Sequence, residues 1–114
     1  MDISLQIREK TLIVSLSGEL DHHGAGNIRD AIEKNITKKE VRNLIFDFNN
    51  LTFMDSSGIG MIIGRYKLIR ALGGQVFVVC TDERVKKMMT LSGLTKLISV
   101  YSSIEDALKE VHTV

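Results

Sequence analysis

The sequence predicts an α/β fold, with one mixed, mostly parallel sheet, an N-terminal antiparallel hairpin and about four helices. Two short runs of alternating apolar residues open the chain, which is typical of a half-buried hairpin. Strand and helix patterns then alternate, which favours parallel strands joined by right-handed crossovers. Residues 76–80 are continuously apolar, as in a strand that is buried on both faces. The predicted order is β-β-α-β-α-β-α-β-α.

Composition limits the class of protein. The 114 residues carry 15 Lys and Arg against 14 Asp and Glu, and 44% are hydrophobic. This favours a single globular domain over residues 1–114, and the net charge of +1 argues against a nucleic-acid or anionic-membrane surface. No apolar run approaches the ~20 residues of a membrane span, and the N-terminus lacks signal-peptide features. The lone Cys80 excludes an internal disulfide, so we expect a cytoplasmic protein.

The first half of the chain contains the hairpin, one helix and one strand. In the second hairpin strand, Gly18 is predicted to end the strand, and Asp21 is predicted to cap the helix that follows. A third strand covers residues 44–48 and is closed by Asn49 and Asn50. The apolar positions of the hairpin and of the helix are Ile3, Leu5, Ile7, Leu12, Val14, Leu16, Ala25, Ile28, Ala31, Ile32 and Ile36.

The second half is predicted to hold a loop over residues 51–58, then a helix from about Ser57 to Leu72. Thr81 or Asp82 caps a third helix, and residues 97–100 form a last short strand. Ser102 and Glu105 have the spacing of a capping box for the final helix. The apolar face of the second helix comprises Ile59, Ile62, Ile63, Tyr66 and Ile69. Three residues lie off that face, are exposed on the helix itself, and either cover another element or contact a partner: Met61, Leu68 and Leu72.

The chemically distinctive residues fall in two predicted loops. Loops that leave the carboxyl ends of parallel strands gather at one edge of the sheet, where ligands and partners bind. Residues 18–23, 49–57 and 81–84 qualify. The first two loops contain Asp21, His22, His23, Asp55, Ser56 and Ser57.

The two serines allow two interpretations. A serine at a helix start commonly caps the helix, but its hydroxyl can also be displayed for modification or catalysis. With two adjacent serines, one can cap while the other stays free. The glycines Gly58, Gly60 and Gly64 fit neither a P-loop nor a dinucleotide fingerprint, and we expect them to let the helix pack closely on the sheet.

The histidines give little support for a metal site or an enzyme. His22 and His23 have no third ligand at a useful spacing, and His112 is far along the chain. A hydrolase triad can be drawn from Ser56, either His22 or His23, and Asp21, but the chain lacks the Gly-x-Ser-x-Gly elbow. Solvated or capping histidines are the favoured interpretation, with no metal, no cofactor and no catalytic residue.

Several motifs together resemble the anti-sigma factor antagonists of bacteria, which are the soluble members of the STAS family, and the likeness is strongest to the sporulation type. The resemblance spans nearly the whole chain, and its most specific part is Asp-Ser-Ser-Gly in a strand-loop-helix setting. The segments concerned are residues 18–23, 53–60, 64–67, 73–74 and 91–94.

The resemblance implies a phosphorylation switch. Such an antagonist binds an anti-sigma factor that is also a serine kinase and thereby frees the sigma factor. The kinase phosphorylates the antagonist, here by motif match on Ser56, and a serine phosphatase reverses the reaction. The residues expected to contact the partner are Asp21, His22, His23, Asp55, Ser56, Ser57, Gly58 and Ile59.

A phosphate would add about −1.5 to −2 charge. A helix N-terminus tolerates that charge, so we expect the fold to persist while the crowded negative charge weakens docking. The alternatives are a STAS module that senses a small anion or nucleotide, and a serine hydrolase that uses Ser56.

Overall fold

The computed structural model describes residues 1–111, in which five strands form one sheet in the order β1-β2-β3-β4-β5. Strands β1 and β2 are antiparallel, and all the other neighbours are parallel. This confirms the predicted mixed α/β architecture. The elements are β1 Asp2–Arg8, β2 Thr11–Leu20, α1 His22–Lys39, β3 Asn43–Met54, α2 Ser56–Ala71, β4 Val76–Val79, α3 Glu83–Leu91, a 3-10 turn Leu94–Lys96, β5 Ser99–Tyr101 and α4 Ile104–Val111.

The sheet is covered on both faces. One core contains Leu12, Val14 and Leu16 of β2 together with buried residues of α1, α2 and α3. The opposite face contributes Ile13 and residues of β3 and β4, which pack against Ala107 and Leu108 of α4. Strand β2 is therefore buried on both faces in its first half. Each fully buried aliphatic side chain contributes about 1.5–3 kcal/mol, so these two layers hold the sheet rigid beneath the loops.

Strands β2 and β3 are longer than the sequence pattern predicts. The predictions that Gly18 ends β2, that Asn49 and Asn50 close β3, and that residues 51–54 belong to a loop are wrong. The pairing register shifts twice along β2, between Ser15 and Ser17 and again after Gly18, and each time β3 carries one extra residue. Such bulges interrupt the alternation of buried and exposed residues, which is why the sequence pattern ends early.

Two predictions near the C-terminus need correction. Residues 97–100 were expected to form a strand, but the 3-10 turn places the last strand at Ser99–Tyr101. The final helix is capped by Ser103 rather than Ser102, since Ser103 Oγ accepts the N–H of Asp106 at 3.1 Å. For α3, the sequence leaves Thr81 and Asp82 as possible caps, and the structure selects Asp82, whose Oδ1 accepts the N–H groups of Arg84 and Val85 at 2.8 and 3.1 Å.

Met61 is buried against another element, which is one of the two roles that the sequence leaves open for it. Met61 is 7% exposed, because α1 packs beside α2 and covers a side of the helix that the apolar pattern leaves out. Leu68 is half-buried, and Leu72 is exposed as expected. Within residues 1–111, no helix combines the length and apolar character needed to span a bilayer.

Candidate functional site

The ends of β2 and β3 bring two helix starts together. Leu20 and Met54 are paired in register, and the N–H of Asp55 donates to the carbonyl of Leu20 at 3.2 Å. Asp21 follows Leu20 directly and opens α1, while Asp55 follows Met54 and opens α2. The two helix N-termini therefore lie at one edge of the sheet, as the sequence predicts.

Both helices are capped by an aspartate. Asp21 Oδ1 accepts the N–H of Gly24 at 3.0 Å, and Asp55 Oδ1 accepts the N–H of Gly58 at 3.1 Å. The bond from Gly24 holds the pKa of Asp21 below its usual value. The interpretation in which a serine caps α2 is thus wrong, and one capping carboxylate lies at each of the two helix starts. The Asp55 carboxylate therefore satisfies one of the first N–H groups of α2, that of Gly58.

The two serines differ in their surroundings. Ser57 Oγ lies 3.4 Å from Nδ1 of His22, and this contact joins the first turns of α1 and α2. Ser56 is exposed, and within residues 1–111 its hydroxyl has no hydrogen-bond partner. One serine hydroxyl is therefore bound to a neighbouring helix and the other is displayed to solvent.

The histidines point in different directions. Their ring centroids are 5.9 Å apart with an angle of 65° between the planes. His22 contacts Ser57 rather than Ser56, and the described residues show no hydrogen-bonded chain from Ser56 through a histidine to Asp21. No group of three metal-ligating side chains occurs among residues 1–111, and His112 lies outside the described residues. This arrangement favours neither a hydrolase triad nor a metal centre.

Gly58 is required by the approach of α2 to the end of β2. A Cβ at Gly58 would lie 2.7 Å from Leu20 Cγ and 3.1 Å from its carbonyl oxygen. At Gly60 and Gly64 a Cβ would meet nothing within 4 Å, so the packing explanation holds for Gly58 and is wrong for the other two. Gly58 is buried and Ile59 is half-buried against the main core. Both residues therefore belong to the packed layer beneath the exposed residues of the site.

A groove between α1 and α2, which the sequence analysis did not predict, borders the serines. It has a volume of about 490 Å³. Arg65 on one wall is ion-paired with Glu33 of α1 at 2.6 Å and is only 14% exposed. Helical spacing places its lining residues on one side of each helix, but only the packing of α1 against α2 makes those sides face each other. The polar and glycine residues of the lining are His22, Gly26, Arg29, Ser57, Gly60 and Arg65.

The sequence as a whole matches a known family. A profile of the STAS domain matches residues 2–107. The chain belongs to the STAS-domain family.

Two curated relatives of this STAS protein are each named anti-sigma F factor antagonist. The one from Paenibacillus polymyxa is 38% identical over 114 residues, covering 100% of this chain and 97% of the relative. The one from Lysinibacillus sphaericus is 34% identical over 88 residues, covering 77% of this chain and 75% of the relative. These matches confirm the resemblance to anti-sigma factor antagonists.

Solved structures of the anti-sigma factor antagonist SpoIIAA share the fold. The unphosphorylated form has a TM-score of 0.81 at 28% identity and covers 99% of this chain and 100% of that one. The phosphorylated form, described as a Bacillus cell fate determinant, has a TM-score of 0.77 at 32% identity, with 96% and 99% covered. The same five-stranded architecture thus occurs in proteins solved with and without phosphate.

Proposed function

We propose that this STAS protein is an anti-sigma factor antagonist that acts in the cytoplasm. It binds an anti-sigma factor that is also a serine kinase, and this binding releases the sigma factor. The kinase phosphorylates Ser56, the phosphorylated protein dissociates, and a serine phosphatase restores it. The observation that carries this proposal is the exposed Ser56 hydroxyl, free of hydrogen bonds within residues 1–111 and set between two capped helix starts.

The chain contributes a displayed nucleophile and no catalytic group. In phosphoryl transfer the kinase positions ATP and accepts the serine proton, and the Ser56 oxygen forms the new bond to phosphorus as the bond to ADP breaks. The first N–H groups of α2 have no partner within the helix, and the positive end of the helix dipole favours a phosphate by about 0.3–1 kcal/mol. The fold therefore has no physical reason to change on modification. The match to both forms of SpoIIAA supports this point.

The effect on docking comes from charge. Asp55 immediately precedes Ser56, and Asp21 caps the neighbouring helix, so a phosphate adds to two existing carboxylates. An interface that covers the two helix starts must remove water from the phosphate and from both carboxylates. Leaving a charge unpaired in an interface costs about 2–5 kcal/mol, and ~3 kcal/mol lowers affinity about a hundredfold.

The remaining predicted contacts surround the acceptor. His22 and His23 lie in the first turn of α1 and are exposed, and Ser57 links that turn to α2. The groove beside them offers the partner a concave surface, with Gly60 leaving open space at its edge. We infer that the anti-sigma factor covers both helix starts and extends into this groove.

The acceptor is tested by comparing Ser56→Ala with Ser57→Ala, a matched pair of adjacent serines that differ in exposure. Each variant is incubated with ATP and the anti-sigma factor kinase, and phosphate is located by mass spectrometry. Wild type and Ser57→Ala are expected to gain phosphate, and Ser56→Ala is expected to gain none. Phosphate on the Ser56→Ala protein would remove Ser56 as the acceptor.

The charge switch is tested separately with Ser56→Asp against Ser56→Asn, which has nearly the same shape but no charge. The aspartate variant is expected to lose about a hundredfold in affinity for the anti-sigma factor, while the asparagine variant keeps most of it. Circular dichroism should be native for both variants. Equal binding of the two would refute a switch based on charge.

A further inference from the structure

Strand β1 leaves one edge of the sheet open. All seven of its residues are exposed, and within residues 1–111 it pairs with β2 alone. Ile3, Leu5 and Ile7 are 38%, 41% and 41% exposed, although they lie opposite Leu16, Val14 and Leu12, which are buried. The helices that cover β2 therefore cover β1 only in part. The result is an apolar stripe beside a row of backbone groups with no partner strand.

Between its charged end residues, Asp2 and Arg8, this edge has none of the devices that usually prevent pairing. Natural edge strands are commonly interrupted by a proline, a lysine or a bulge. Strand β1 has the sequence DISLQIR, and its register with β2 is unbroken from Asp2 to Arg8. The opposite edge, β5, has only three residues. Of the two edges, only β1 is long and regular enough to accept another strand over several residues.

The sequence of β1 is complementary to itself in one antiparallel register. A two-fold axis through Leu5 places unlike charges opposite each other at both ends and keeps apolar residues opposite apolar residues. The facing pairs, one residue from each copy, are Asp2 with Arg8, Ile3 with Ile7, Ser4 with Gln6, and Leu5 with Leu5. A slip of one residue would set apolar against polar side chains, and a slip of two residues would lose both charge pairs.

We propose that the occupant of this edge is a second copy of the chain, with the two β1 strands paired antiparallel about Leu5 so that the two sheets become continuous. Opposite charges facing across strands are favourable and like charges are not. Arg8 already contacts Glu105 at 3.0 Å, but that pair is exposed, and a guanidinium has enough N–H groups to bind a second carboxylate. None of the residues expected to contact the anti-sigma factor lies in β1. The dimer and the proposed function can therefore fail independently.

The register is tested by disulfide trapping in the full chain. On the axis, the two Leu5 Cα atoms would be about 4.5–5.5 Å apart, within the range that a disulfide spans. Leu5→Cys is expected to form a covalent dimer under mild oxidation. Ile7→Cys is the matched control, since Ile7 is equally exposed and on the same face, but the two copies of it would be about 13 Å apart along the strand. The native Cys80 is buried. Failure of Leu5→Cys to cross-link, or equal cross-linking of both variants, would overturn the proposal.

The charge pairs are tested by sedimentation velocity over a dilution series. Asp2→Arg alone and Arg8→Asp alone each place like charges at both ends of the pairing, so each is expected to weaken self-association about tenfold. An equimolar mixture of the two variants restores both opposite-charge pairs and should dimerise like wild type. A mixture no stronger than its components, or a wild type that stays monomeric at millimolar concentration, would contradict self-docking at β1.

Discussion

Two adjacent serines acquire different chemistry from contacts that are distant in sequence. Ser57 reaches His22, a residue 35 positions away, whereas Ser56 extends into solvent. The local pattern correctly predicted that Asp21 caps α1, because the cap and the Gly24 N–H that it accepts lie within one turn. It could not rank Asp55 above the serines as the cap of α2, since all three are good capping residues. That choice depends on where β3 ends.

Neighbouring glycines of α2 should respond oppositely to the same substitution. Gly58→Ala places a methyl group 2.7 Å from Leu20 Cγ, and overpacking of this kind costs about 1–3 kcal/mol. Gly60→Ala meets open space and should raise the free energy of unfolding by about 0.5–1 kcal/mol, since glycine is unfavourable inside a helix. Urea denaturation of the two variants measures both values. Equal effects would contradict the close approach of α2 to β2.

At the scale of elements, regular sequence patterns correctly predicted helices and strands, whereas elements with an interrupted pattern were predicted too short. The periodicity of α1 and α2 and the apolar run of β4 located those elements to within a few residues. The bulges in β3 concealed its second half, in which Leu51 and Met54 are buried three positions apart rather than two. The extra length matters for the site, because it brings Asp55 beside Leu20. The groove between α1 and α2 was also missed, since single-helix patterns do not say which helices are neighbours.

The aspartate caps make helix stability depend on acid pH. Backbone hydrogen bonds lower the pKa of Asp21, through Gly24, and of Asp82, through Val85, from the usual 3.8. Around and below pH 3.8 the unfolded chain therefore binds more protons than the folded chain does. The stabilisation that these caps give to the folded state is thus present above pH 3.8 and is lost as the pH falls through the lower pKa values of the folded state.

Urea denaturation over a series of acidic pH values checks this expectation. The control is the double variant that carries both Asp21→Asn and Asp82→Asn, because asparagine also caps helices but does not titrate. The double variant should lose less stability between mildly and strongly acidic pH than wild type does. Parallel pH curves for the two proteins would show that the caps do not contribute.

At the scale of the whole molecule, the order of predicted elements was enough to fix the architecture. The alternation of strands and helices predicted mostly parallel strands, the opening hairpin predicted a mixed sheet, and burial of β4 on both faces confirmed that helices lie on each side. What the order of elements could not supply is solvent access at each position. Cys80 illustrates this, because it follows β4 directly, next to the loop that leads to α3, yet is 0% exposed.

Burial raises the pKa of the Cys80 thiol above its usual 9.0. At alkaline pH the unfolded chain loses this proton before the folded chain does, so the thiol contributes stability below 9.0 that declines as pH rises above it. Wild type should therefore lose more stability than Cys80→Ala between neutral pH and about pH 10. Tyr101, whose pKa is also raised by burial, titrates in both proteins and cancels in the comparison. Urea denaturation at the two pH values measures the difference, and identical losses would contradict a buried neutral thiol.

The sheet order β1-β2-β3-β4-β5 places every strand beside the one that precedes it in the chain. No strand has to be inserted later between two that are already paired. A polypeptide that leaves the ribosome N-terminus first can thus extend its sheet in one direction, adding each strand as it emerges. The earliest part to form would be the β1–β2 hairpin, which requires no crossover helix.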